Sequence, residues 1–377
     1  MPRNEDGFSL IEMLIVMTLL VIIIAISTNS FSLILKQSGQ QTRIAETQIE
    51  SNIGLNLLRV DLEHAGYGLP WSFQNPISYS EAVPVPAAGF NDSPASPPRA
   101  VLSGNNVVGS DILEGTDYLV IKSTVAGTGV ASQRWSYVVA GSSPRIWGSD
   151  DLQDGVRSIV INPKVSNAVS RQLVMSGSGN SFSCGDKTVF FSTFWTGFCS
   201  AGLPSVFTPL NTSEQYLIYG VDADNDLRMP FNRADYYIKR PPDGTPHLCA
   251  PNTGTLYRAN VNHQDGELTE LPILDCAADM QMVFMRDTDG DGTVDNYTDD
   301  ISLLTDDQIR NQVKEVRVYI LAHEGRMDRS FQYPNPTVVV GEYGIGSTYN
   351  LAEKAGSDWR NFRWKVYTIA VKPKNLK

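Results

Sequence analysis

The sequence is poor in what most enzymes need. Four histidines, His64, His247, His263 and His323, are scattered over 377 residues, and none stands in a His-Glu-x-x-His or similar ligand spacing. No Gly-x-Ser-x-Gly elbow, phosphate loop or dinucleotide fingerprint occurs. Four cysteines, Cys184, Cys199, Cys249 and Cys276, include no Cys-x-x-Cys, which removes zinc ribbons, thiol redox motifs and haem attachment. Basic runs are missing too, and the net charge is −11. Such a chain does not fit nucleic acid as a partner, but it suits the binding of cations. The paired acids Asp150-Asp151, Asp299-Asp300 and Asp306-Asp307 read as turns and solvated faces rather than acid–base pairs. No internal repeat of fixed period and no low-complexity segment is visible. Catalysis by this chain is therefore not expected.

The chain has one long apolar run, from Phe8 to Ile26. A helix needs about 20 apolar residues to cross a bilayer, so this run is long enough. A carboxylate, Glu12, stands inside its edge. A charge in lipid costs several kcal/mol unless it is paired, so an acid here marks a function. Cleavage after Gly7 would make Phe8 a charged N-terminus about one helical turn from Glu12. Gly7-Phe8-Ser9-Leu10-Ile11-Glu12 before an apolar helix resembles the processing site of type IV prepilins and pseudopilins. The resemblance implies that a membrane peptidase cuts after Gly7 and methylates Phe8. It also implies that Glu12, fifth after the cut, supports assembly into a filament.

Elsewhere the composition is that of a folded protein, with 19% charged and 42% hydrophobic residues. Past the apolar run, Ala45, Ile49, Ile53, Leu57 and Val60 recur at helical spacing and predict one apolar stripe. The helix is expected to end near His64, with Gly66 as its stop, and Gly39 and Gly54 are candidates for bends. Seven prolines in 70–98 predict an irregular connector loop. From about residue 110 the period becomes alternating. Strands are predicted over 117–122, 134–139, 156–161, 171–175, 188–191, 216–219, 236–238, 256–259, 280–285, 316–321, 338–342 and 363–371. A long helix followed by a run of strands predicts an α+β fold with mainly antiparallel sheets. The expected organisation is a leader over 1–7, a helix over 8–66 that spans the membrane over 8–26, and a head over 67–377.

The segment from Asp287 to Asp295 places acids at positions one, three, five and nine, with Gly292 at six. That matches the first part of a calcium loop, in which Asp287, Asp289, Asp291 and Asp295 offer carboxylates and Thr293 a backbone carbonyl. Thr298 replaces the usual glutamate at position twelve, and Asp299 or Asp300 could substitute. Four acids in nine residues repel one another without a cation, so calcium is the expected cofactor. Asp222-Ala223-Asp224-Asn225-Asp226 lacks glycine and reads better as a polar turn. In an exported head two disulfides are expected, with Cys184–Cys199 and Cys249–Cys276 preferred because each closes a local loop.

Leu256-Tyr257-Arg258, Leu274-Asp275-Cys276-Ala277-Ala278-Asp279-Met280-Gln281, the Asp-Gly loop and the closing Arg363–Val371 resemble the C-terminal half of PilW-type minor pilins. That resemblance implies a subunit that starts pilus assembly and sits at or near the filament tip. Its implied partners are other minor pilins, the major pilin, a tip adhesin, prepilin peptidase and the inner-membrane assembly platform. It implies a precursor held in the inner membrane with its head in the periplasm, then a place on the surface pilus. A minor pseudopilin of type II secretion and an anchored calcium-dependent adhesin are the alternatives. An exported hydrolase would need an apolar pocket with converging polar groups.

Overall fold

The computed structural model describes residues 9–376 apart from 74–76, 110, 143, 146, 148–149, 151, 153–155, 165–170, 176–182, 185–186, 189, 192–206, 242–243, 245 and 247. Helix α1 covers Leu10–Glu63. The chain divides into two compact units, Met1–Ile49 and Glu50–Lys377.

In the first unit, Leu10–Ser32 is a 23-residue stretch long and apolar enough to cross a membrane, and none of it is buried. It reaches further than the 8–26 run read from the sequence. Thr18 and Thr28 lie inside it, and each hydroxyl donates to the carbonyl four residues back, Leu14 and Ile24, at 2.8 Å. Their polar groups are thus satisfied within the helix, as an apolar surrounding requires.

In the second unit the end of α1 packs onto a sheet through Leu55, Leu58, Leu62 and Ala65. This corrects the predicted stripe. Ile53 is 69% exposed and Val60 40% exposed, while Leu57 is only partly buried. The side chains of Ala45 and Ile49 lie outside the described residues. Two adjacent stripes with helical spacing compete here, and the close contact at Gly54 selects between them. A Cβ on Gly54 would meet the Ile273 carbonyl oxygen at 2.1 Å. Gly54 is therefore a point of close approach, not a bend. Gly66 ends the turn after the helix at φ +81°, a left-handed conformation that glycine adopts freely.

The strands are β1 (Ser72–Phe73), β2 (Val101–Gly104), β3 (Tyr118–Ser123), β4 (Trp135–Val139), β5 (Val156–Asn162) and β6 (Gln172–Leu173). Next come β7 (Ser183–Cys184), β8 (Lys187–Thr188), β9 (Phe190–Phe191), β10 (Gln215–Asp222), β11 (Asn232–Lys239) and β12 (Gly254–Val261). The last are β13 (Leu268–Arg286), β14 (Asn296–Thr298), β15 (Val313–Glu324), β16 (Thr337–Glu342), β17 (Ile345–Asn350) and β18 (Arg363–Val371). One sheet runs β1-β6-β5-β10-β4, with β9 on β5. The larger runs β18-β15-β13-β12-β11-β3-β2, with β14 on β13. Among the described residues every strand pairing is antiparallel except β1 with β6, so the predicted α+β class holds.

β13 and β15 show why the larger sheet is central. Met280, Met282 and Phe284 of β13, with Val316, Val318 and Ile320 of β15, face the main core together with the helix stripe. The alternate residues Val283, Tyr319 and Leu321 face a second core closed by Val340, Tyr349, Trp359 and Trp364. Side chains alternate across a strand, so covering both faces gives a nearly continuous apolar run. The smaller sheet adds Ile159 and Ile161 to the main core and Val138, Val160 and Ile218 to a third.

Candidate functional sites

The helix start is built from Ser9 and Glu12. The first turn of a helix has backbone N–H groups with no partner inside it. Glu12 turns back so that its carboxylate accepts the Ser9 N–H at 3.0 Å, and the Ser9 hydroxyl accepts the Ile11 N–H at 3.4 Å. A carboxylate at this end also meets the positive end of the helix dipole. Glu12 is the one charged residue in Leu10–Ser32. Gly7 and Phe8 lie outside the described residues.

The acidic segment is the connection between β13 and β14. The strands pair Met285 with Tyr297 and Arg286 with Asn296, which brings the loop ends together. Asp287 is buried, and its two oxygens accept the N–H groups of Gly290 at 2.7 Å and Gly292 at 2.9 Å. Both glycines have positive φ, +79° and +90°. Burial pushes the Asp287 carboxyl up, but these two donors and the Lys314 ammonium at 3.4 Å outweigh it and hold it below the usual range.

Carboxylate oxygens of Asp287, Asp289 and Asp295 lie within 4.8 Å of one another. Asp291, Asp299 and Asp300 have hydrogen-bond partners of their own. Asp291 accepts the Thr293 N–H at 2.6 Å. Asp299 accepts from the Asn105 amide at 2.8 Å, and Asp300 from the Ser302 N–H at 2.8 Å. β14 separates these last two from the loop. In the Asp222 segment, the Asp222 carboxylate accepts from Asp224 and Asn225 N–H groups at 2.8 and 2.5 Å, which makes it a turn.

Cys249 and Cys276 form a disulfide with Cα atoms 5.0 Å apart. The Cys184 side chain and Cys199 lie outside the described residues. The described histidines hold structure in separate places. His64 reaches the Val60 carbonyl at 2.9 Å. His263 contacts Asn232 and accepts from the Arg228 N–H, and burial lowers it to about 4. Burial lowers His323 to about 3, and its Nε2 accepts the Ala250 N–H at 2.8 Å.

Sequence reading missed two buried charge clusters. On α1, the Asp61 carboxylate accepts from Arg258 at 2.7 Å and from the Tyr236 hydroxyl at 2.5 Å. Near the Pro-rich segment, Glu81 pairs with Lys122 at 2.6 Å and Arg233 at 3.1 Å. Lys122 also meets Asp92 at 2.7 Å, and Arg233 meets Asp235 at 2.7 Å. The signal was present: a lone acid on an apolar helical stripe, and Lys122, Arg233 and Asp235 inside apolar strands.

The family described as type IV pilus-assembly protein W matches residues 235–375. The prokaryotic N-terminal methylation motif matches residues 2–28. No curated protein and no solved structure matches the chain. The match over 235–375 takes in β12 to β18, the disulfide and the acidic loop. The chain thus combines a prepilin-type methylation motif at its start with a second half similar to the type IV pilus-assembly protein W family.

Proposed function

We propose that this chain is a minor pilin that primes assembly of a type IV pilus and stays at or near the filament tip. The two families it matches are structural pilus components rather than enzymes, which supports contact with other pilus subunits and with prepilin peptidase. The precursor is anchored by its apolar helix in the inner membrane, with the head in the periplasm. Prepilin peptidase cuts after Gly7 and the new Phe8 amine is methylated. The observation that carries this reading is Glu12, the single charge in an exposed apolar span, with its carboxylate 3.0 Å from the Ser9 N–H. A charged amine on Phe8 would stand beside that carboxylate. In a bundle, a neighbouring subunit's amine becomes an alternative partner for Glu12. Exchange between the two favours drawing the helix out of lipid into protein.

In this reading calcium belongs at the β13–β14 loop. The donor set fits, because three carboxylates converge and calcium takes 6–8 oxygens in flexible geometry. Asp287, Asp289 and Asp295 would hold the ion, which supplies the positive charge that lets these acids sit together. The loop then presents one fixed surface to neighbouring subunits, a tip adhesin among them.

Incorporation of Glu12→Ala tests the assembly role. Sheared pili from cells expressing the variant should lack this chain while the membrane fraction retains it. Equal amounts in wild-type and variant pili would rule the role out.

A further inference from the structure

The Pro-rich segment borders a cavity of about 300 Å³. Its rim is Pro84, Val85 and Pro86, with Val85 83% exposed. Its wall includes Tyr118 and Tyr237, whose rings stack at 5.1 Å. Three carboxylates border it, Asp111, Glu267 and Glu270, against one ammonium, Lys239. Glu270 is already compensated, since both Lys239 and the Tyr237 hydroxyl donate to it. Asp111 and Glu267 are exposed, and neither has an ion-pair partner among the described residues. The mouth therefore carries two negative charges without ion-pair partners beside the exposed Val85 and its flanking prolines, with Tyr118 and Tyr237 buried behind them.

The rim is held in place by the head itself. The Val83 N–H donates to the Gly266 carbonyl at 2.9 Å, and the Ala88 N–H to the Pro84 carbonyl at 2.8 Å. Buried Arg233 donates to the Ala87 carbonyl at 2.8 Å while pairing with Glu81, so the segment is fastened on both sides of the prolines. A site whose walls are already ordered loses little entropy when it binds.

We propose that this pocket receives a lysine or arginine side chain of a partner protein. The stem of such a residue matches the rim of Pro84, Val85 and Pro86, and its charged head matches Asp111 and Glu267. The same carboxylates repel acidic groups, and a neutral side chain would leave them uncompensated. This makes the Pro-rich segment part of a recognition surface, not only a connector, and the claim is independent of where the chain sits in a filament.

The test uses full-length protein in detergent micelles, with tyrosine rings labelled for NMR. N-acetyl-lysine methylamide and N-acetyl-arginine methylamide should give saturable shifts at Tyr237, and the uncharged norleucine analogue should bind about tenfold more weakly. The Asp111→Asn/Glu267→Gln double variant should lose about fivefold or more in affinity for the basic amides, with an unchanged melting temperature. Glu114→Gln, an exposed acid outside the cavity, should behave as wild type. No saturable shift, equal binding of the norleucine analogue, or full affinity in the double variant would each overturn the proposal.

Discussion

Among the described side chains, Asp61 is the one charge on the buried stripe of α1, and it fixes how the helix end seats on the larger sheet. Its carboxylate meets Arg258 of β12 and Tyr236 of β11 at once, so a shift in register would strand a guanidinium in the core. Asp61→Leu should lower the unfolding free energy by about 3–5 kcal/mol, seen as a lower urea midpoint, because it leaves a buried charge unpaired. Asp61→Leu/Arg258→Met should recover most of that loss. Asp117 works in the opposite direction. Burial pushes its carboxyl up to about 7, opposed by the N–H groups of Asn106 and Met282 and reinforced by Asp279 and Asp299. Between the ordinary carboxylate range and pH 7, the native state then binds a proton that the unfolded chain has released. Stability should fall as pH rises through that window, by on the order of 4 kcal/mol in all. Asp117→Asn should flatten this slope in denaturant titrations from pH 4 to 8. Asp61 left a signal as a lone acid on an apolar helical stripe, whereas Asp117 did not, because its burial depends on partners far along the chain.

At the scale of elements, the last strand and the change from helical to alternating period were legible, since both depend on local spacing. The phase of α1 was not. Ile53 and Val60 follow helical spacing as well as Leu55, Leu58 and Leu62 do, and only the approach of Ile273 to Gly54 separates the two stripes. Gly54→Ala should therefore destabilise the head by about 1–3 kcal/mol, measured in urea, although alanine favours a helix. Alternation predicts only Met280–Met285 of β13, which begins at Leu268, because its first half is largely exposed and interrupted by Pro272. The acidic loop was visible as a motif, and the hairpin of β13 with β14 explains how its ends meet. The sequence did not separate Asp289 and Asp295, which converge on Asp287, from Asp299 and Asp300, which β14 carries away. Calcium at about 100 times its dissociation constant should stabilise the head by about 2.7 kcal/mol. Chelation should remove that gain, as should Asp289→Asn/Asp295→Asn. A melting temperature indifferent to chelation would exclude the ion.

For the whole molecule, the pilus-assembly W match begins at residue 235, so it leaves out the smaller sheet and the Pro-rich segment. These are also the parts whose purpose was least legible in the sequence. The first unit, by contrast, announces itself in a few residues, because a charge inside an apolar span has few physical explanations. The account rests on that charge gaining a neighbour through proteolysis. Intact-mass and N-terminal analysis of the protein purified from its native cells measures this directly. The account predicts a chain that starts at Phe8 and carries a methyl group on its α-amine. A mature protein that still begins at Met1 would contradict it.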